Sequence, residues 1–185
     1  MGLVLISTAT ISSSVASVTI EANIDATYDL YEFHFENIHF SADDYSKIVC
    51  YFRTAADDGY DQLVTSANHY IGSYENNVWS AANVQDSSSQ NSGEGAAQQH
   101  ISEASGDENF AAQSGILRLY TPADTTFHKK YHSHIETYNY NGGMLNVTSS
   151  GIIETTAAIT GVRFAAATGG STTMDAGKIH LYGVV

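Results

Sequence analysis

Asp29-Leu30-Tyr31-Glu32-Phe33-His34-Phe35-Glu36-Asn37 is the stretch that decides the fold class. Drawn as an extended chain, it sets Tyr31, Phe33 and Phe35 on one face and Glu32, His34 and Glu36 on the other. That is the period-two pattern of a half-buried strand. Tyr28, Tyr31, Phe35 and Ile38 also share a helical spacing, but the density of aromatic side chains favours a pleated surface. Next along the chain, Ile48-Val49-Cys50-Tyr51-Phe52 is apolar on both faces and reads as a central strand. Cys50 sits within it as a buried, inert thiol.

The second half repeats the strand signal over residues 115–120, 127–138, 144–155, 159–165 and 177–184. Turns are marked by Pro122, Asn141-Gly142-Gly143 and Gly169-Gly170. Two of these runs match: Gly115-Ile-Leu-Arg-Leu-Tyr120 and Gly177-Lys-Ile-His-Leu-Tyr182 both read G-x-[LI]-x-L-Y. Leu117 and Leu119 in one, and Ile179 and Leu181 in the other, are expected to face inward. Eight or nine short strands with turn signals between them predict an all-β fold, a single jelly-roll-like β-sandwich over residues 1–185.

Two segments depart from this pattern. Tyr60, Leu63, Val64, Ala67, Tyr70 and Ile71 fall at helical spacing, with Asp58 as N-cap and Gly72 past the end, and predict one short helix. Residues 86–109, DSSSQNSGEGAAQQHISEASGDEN, are low in complexity with almost nothing to bury. They predict a long polar loop, pinned, if ordered, by a neighbouring subunit.

Charge narrows the function classes. Seven Lys and Arg against twenty Asp and Glu give a net charge of −13, although only 15% of residues are charged. With no basic cluster, nucleic acid and anionic membranes are not expected partners. One cysteine excludes an internal disulfide framework and any zinc site with more than one thiolate. The start, Met1-Gly2-Leu3-Val4-Leu5-Ile6-Ser7, lacks the basic region and apolar length of a secretory signal. Protonating all eight histidines would take −13 to −5, so mild acid is expected to change association.

Few residues read as chemistry. His128, His132 and His134 share one face of the 127–138 strand, and His132-x-His134 is a bidentate metal spacing; an outward polar face with Lys130 and Glu136 is the commoner explanation. Asp57, Asp58 and Asp61 around Gly59 resemble a calcium turn, although acidic turns more often bond to their own backbone. Glu32, Glu36, Glu136 and Glu154 are the carboxylates from which a glycosidase pair would have to come. No catalytic residue, cofactor or metal is assigned. Tyr74, Trp79, Tyr138 and Tyr140 lie in or beside Asn- and Ser-rich stretches and are the candidate recognition or interface residues.

Two blocks carry a family resemblance. The first runs Leu5-Ile-Ser-Thr-Ala-Thr-Ile11, Ala16-Ser-Val-Thr-Ile-Glu21 and Ile24-Asp-Ala-Thr-Tyr28-Asp29-x-Tyr31-x-Phe33. The second runs Gly115-x-Leu117-x-Leu119-Tyr120-x-Pro122, Ala158-Ile-Thr-Gly-Val-Arg-Phe164 and Gly177-x-Ile179-x-Leu181-Tyr182-Gly183. In these the chain resembles small virion proteins of tailed bacteriophages, especially phages of marine bacteria; residues 54–112 match none of that pattern. The resemblance implies a structural virion component, assembled in the host cytoplasm as a homotrimer or another symmetric oligomer. It would be a capsid decoration, cement or knob protein, or a tail or fibre protein. Its partners would be further copies of itself and the major capsid protein or a tail component. It carries over no catalytic residue. The rival expectations are a tail-fibre or receptor-binding module contacting host surface glycan and, behind it, a glycan-degrading enzyme. The apolar Leu3-Val4-Leu5-Ile6 is either a first strand or a reach toward a neighbour.

Overall fold

The computed structural model describes residues 2–42, 46–74, 79–82, 99–108, 110–139, 142–167 and 172–185, with the backbone alone at 74 and 79–82. Twelve strands form among them: β1 (Leu3–Ile11), β2 (Ser17–Ile20), β3 (Leu30–Phe40), β4 (Ile48–Thr54), β5 (Val64–Tyr74), β6 (Trp79–Ala82), β7 (Gln99–His100), β8 (Gln113–Tyr120), β9 (Lys129–Asn139), β10 (Gly143–Ile153), β11 (Ile159–Ala166) and β12 (Met174–Val184). They build an eight-stranded antiparallel sheet, β1-β12-β3-β8-β9-β10-β5-β6, packed on a four-stranded one, β2-β11-β4-β7.

The topology is a jelly roll with two insertions. Four nested antiparallel pairs, β1·β12, β2·β11, β3·β8 and β4·β7, alternate between the large and the small sheet. That alternation is a long two-stranded ribbon rolled up on itself. Lateral pairing of β12 with β3 and of β11 with β4 closes the roll. The β5·β6 hairpin and the β9·β10 hairpin are inserted between jelly-roll strands and widen the large sheet beyond β8.

The strand alternation read from the sequence is what builds the core. Tyr31, Phe33 and Phe35 all point inward, as do Leu117, Leu119, Ile179 and Leu181. Phe164 of β11 meets Phe33 and Phe35 edge-on, at ring-centroid distances of 5.2 and 5.0 Å. Each such fully buried side chain contributes about 1.5–3 kcal/mol relative to exposure. The two copies of G-x-[LI]-x-L-Y, β8 and β12, flank β3 on its two sides. Their first glycines sit at positive φ, 156° and 119°. A Cβ at Gly115 would lie 2.2 Å from the carbonyl oxygen of His134, and one at Gly177 2.6 Å from that of Asn37. Register shifts on β3 and β12, with Asn37 at φ 50°, locate the bulge that this close approach accommodates.

Two expectations are corrected. Residues 64–74 are strand, not helix: β5 pairs with β10 over eleven consecutive positions. The helical spacing is accidental, since Leu63 and Ile71 are exposed and Tyr60 packs with Tyr51 and Val49 instead. A strand-length partner overrides a weak local pattern. Of the supposed polar loop, residues 86–98 and 109 lie outside the described residues, but 99–106 is not solvated. Ile101, Ser102 and Ser105 are buried, and Gln99 pairs through β7 with β4. Nor does this part need a neighbouring subunit to hold it. The Ile101 and Ser105 amides donate to Ile48 O and Ser46 O, the Ile48 amide donates to Ser102 Oγ at 2.7 Å, and the buried Gln113 Nε2 donates to Ser46 O, Glu103 O and Ser105 Oγ.

Ser102→Ala removes the Oγ that satisfies a buried amide and is expected to lower stability by about 1–3 kcal/mol, read from urea unfolding. A loss within the scatter of exposed-residue controls would show that 99–106 is not part of the core.

Candidate functional site

The outer face of the large sheet gathers most of the chemistry-bearing side chains. Strand pairing puts them in transverse rows. One row runs Thr8, His180, His34, Ile116, His134, Thr148, His69; the next runs Leu5, Tyr182, Glu32, Arg118, His132, Ser150, Ala67. The strands alternate inside and out, so the residues between these point into the core and the rows themselves face solvent.

On the jelly-roll half of this face the carboxylates are spent on cations. Glu32 accepts from Arg118 Nε at 2.8 Å and from His34 Nε2 at 2.7 Å. Burial alone would raise Glu32, but the bonds from His34 and Arg118 outweigh it and hold the carboxyl below its ordinary value. Glu36 is lowered chiefly by its bond from His180, then by Lys178. A glycosidase acid needs the opposite shift. Glu154 accepts from Thr65 Oγ1 at 2.6 Å. The acidic turn behaves likewise: Asp57 accepts from the Gly59 amide, Asp58 pairs with Arg53, and Asp61 accepts from Gln62.

Over β8 and the inserted β9 the balance changes. Arg118, His132 and His134 line a depression of about 390 Å³ with Ser114, Gly115, Ile116 and Glu136. Beside it, Tyr120, Lys130, Ile152, Ser150, Ala67 and Thr65 outline a wider trough of about 710 Å³. Burial lowers His132 from the ordinary imidazole value, and the nearby Arg118, His134 and His69 lower it further. Lys130 is exposed and has no ion pair among the described residues.

His132 and His134 thus share a face, as the sequence predicts, while His128 lies ahead of β9. No three His, Cys, Asp or Glu side chains among the described residues come together as a metal site. Of the four candidate recognition aromatics, Tyr138 is half-buried at the far end of β9, edge-on to Phe110 at 5.0 Å. Tyr74 and Trp79 have their backbones in β5 and β6, their side chains lying outside what is described, and Tyr140 lies outside the described residues altogether. The residues missed by sequence reasoning are Arg118, Tyr120 and Lys130. The alternation does turn Arg118 and Lys130 outward, but only the β8·β9 register sets Arg118 opposite His132. Cys50 is fully buried, and burial pushes its thiol up.

At one end of the same sheet His39 ties three segments. Its Nδ1 lies 2.7 Å from Asp175 Oδ1, and its Nε2 is 3.2 Å from both the Asp107 and the Glu108 carbonyl oxygens. Both ring nitrogens face acceptors, which only the doubly protonated imidazolium satisfies. Burial works against the charge, but the Asp175 carboxylate and the two carbonyls prevail and raise His39 above its ordinary value.

No protein-family model, no curated protein and no solved structure matches the chain. The likeness to virion proteins therefore rests on the two sequence blocks.

A raised imidazole contributes stability that is complete below its unfolded value, near 6.5, and lost as pH rises through the folded value. Hydrogen exchange at residues 107–112, corrected for intrinsic rates, is expected to quicken from pH 6 to pH 9. His39→Gln is expected to leave it fast and pH-independent. Protection that stays constant in the native protein across that range would refute the clasp.

Proposed function

We propose that the chain is a non-enzymatic structural protein of a tailed-phage virion, an exterior decoration or cement subunit that works through contacts between subunits. The observation that carries this reading is β1. It is an edge strand with β12 on one side and no strand pairing its other side among the described residues. Its nine residues, LVLISTATI, contain no charge and no proline. Leu3, Val4 and Leu5 are 49%, 41% and 55% exposed. Strand edges of soluble proteins are commonly blunted by lysine, proline or inward charge; here one bulge between Leu5 and Ser7 is the only such feature. In a chain of net charge −13, a row of unpaired amides and carbonyls beside three apolar side chains is where a second acidic body can approach without repulsion.

The resemblance to virion proteins supports the setting, and the jelly roll suits it. Strand faces make a stiff body, and the free edge makes the joint. Partners are further copies of this chain, in a trimer or another symmetric oligomer, and a capsid or tail protein. Labelling of intact particles with antibody to the chain tests the location: regularly repeated sites on the head are expected, and particles without the antigen would exclude the reading.

Leu5→Lys puts a charge on the open edge. Sedimentation velocity is expected to show a multiple of 19.9 kDa for the native chain and the single-chain mass for the variant. A native chain that stays monomeric at tens of micromolar, the usual range for such runs, would remove β1 as the joint.

A further inference from the structure

We propose that Arg118 and His132, with Lys130 and Tyr120 beside them, form an oxyanion-binding subsite for an acidic polysaccharide on the outer face of the large sheet. The inference goes beyond the assembly reading and does not depend on it.

The first argument is charge. Seven cations serve the whole chain, and two of them, Arg118 and Lys130, lie on the outer face of β8 and β9. Arg118 spends its Nε on Glu32, and that bond fixes the plane of the guanidinium. Its side chain is still 42% exposed, so the terminal nitrogens are open to a ligand. His132 stands directly opposite, with the two backbones about 5 Å apart. Among the described residues no carboxylate bonds to His132; its neighbours in charge are Arg118, His134 and His69. Glu136 lies four residues further along β9, at the far end of the smaller depression. A carboxylate or sulfate between Arg118 and His132 would accept bonds from both and relieve their mutual repulsion.

The second argument is shape. Arg118 and His132 stand where the two depressions meet, so a chain lying along the sheet passes over them. On one side Ser150 and Ala67 are small and leave room, and Tyr120 and Ile152 raise an apolar rim. On the other, Ser114 offers a hydroxyl. Hydroxyl groups, an aromatic ring and fixed cations are the groups that recognise a sugar bearing an acid. A peptide is the poorer fit. The backbones of β8, β9 and β10 are paired on both sides within the sheet, so no strand can be added over this face.

Affinity electrophoresis of the full chain tests the site. The gels hold polygalacturonate as the carboxylated polymer, dextran sulfate as the sulfated one, neutral dextran as control and poly-glutamate as the acidic peptide. Retardation is expected on one or both acidic polysaccharides, with none on dextran. Whichever acidic gel retards more identifies the oxyanion. The retardation should strengthen from pH 7.5 to pH 5.5 as His132 takes up its proton among Arg118, Lys130, His134, His69, Glu32 and Glu136. His132→Gln and Arg118→Gln should each weaken it about tenfold. Lys130→Gln, which disturbs no ion pair, should weaken it less, and the circular-dichroism spectrum of each variant should match that of the native chain. Saturating polymer should raise the His132 titration midpoint, followed by nuclear magnetic resonance.

Absence of retardation on both acidic polymers would overturn the proposal. So would equal retardation on dextran, indifference to His132→Gln, or tighter binding to poly-glutamate. None of these outcomes bears on the β1 joint, because Leu5 stands on the edge strand, with β12 and β3 between it and Arg118 of β8.

Discussion

An eight-stranded sheet cannot be covered by a four-stranded one, and the rest of the molecule is organised around that mismatch. The jelly-roll strands β1, β12, β3 and β8 lie over the small sheet and share its apolar core. The inserted strands β9, β10 and β5 join that core through Tyr131, Ile135, Ile153 and Val64, and elsewhere turn polar groups inward at Ser133, Thr137, Ser149 and Ser66. Their inner faces must still be closed against water, and segment 99–105 closes them. It does so with polar groups. Ser66 Oγ donates to Gln99 Oε1 at 2.6 Å, Asn68 Nδ2 to His100 O, and Asn139 Nδ2 to Ala104 O. Buried polar groups are tolerable where they are paired; Asn68 Oδ1, Gln113 Oε1, Ser133 Oγ and Thr137 Oγ1 have no hydrogen-bond partner among the described residues. The same mismatch places a broad face on the outside, where β8 carries Arg118 and the inserted β9 carries Lys130, His132 and His134.

What the sequence reveals depends on whether a residue's partners are local. Tyr31, Phe33 and Phe35 announce their strand because alternation is a property of neighbours in the chain. The two G-x-[LI]-x-L-Y runs announce themselves for the same reason, and their glycines mark where β3 crowds them. Segment 99–105 is opaque because its composition resembles solvated loops. Only partners distant in the chain make it core: Ser46 and Ile48, more than fifty residues away, for Ser105, Ile101 and Ser102, and Ser66 and Val64 for Gln99. β5 misleads because its partner, β10, lies about eighty residues on. Of the site, His132 and His134 could be placed on one face from spacing alone, but Arg118 could not be set against His132 without the β8·β9 register. The clasp of His39 on Asp175, Asp107 and Glu108 is invisible for the same reason, its partners being 68 to 136 residues distant.

Charge is sorted on this fold. Several acids, among them Asp25, Asp57, Asp58, Asp61, Asp107 and Asp124, lie in connections between strands, where water solvates them. Arg163 is held on the opposite, small sheet over the rings of Tyr51 and Tyr60, at 4.9 and 5.0 Å. Lys47 is tied to Glu103, and the buried Lys129 donates to the carbonyls of Phe127 and Thr155. These cations are committed to structure. The outer face of β8 and β9 differs because its cations are not matched one for one by carboxylates.

The free edge and the cationic face occupy one sheet but make different demands. Edge-to-edge joining adds strands in the plane of the sheet and uses only the backbone of β1 and the side chains of Leu3, Val4 and Leu5. It leaves the face of the sheet untouched. Two subunits joined antiparallel through β1 are related by an axis normal to the sheet, so both outer faces look the same way. A joint of that kind presents identical surfaces side by side at fixed spacing, and weak contacts made by each then act together on one extended polymer. A jelly roll widened on the side away from its open edge suits the proposed division of labour, in which one margin would assemble while the broad face stays free.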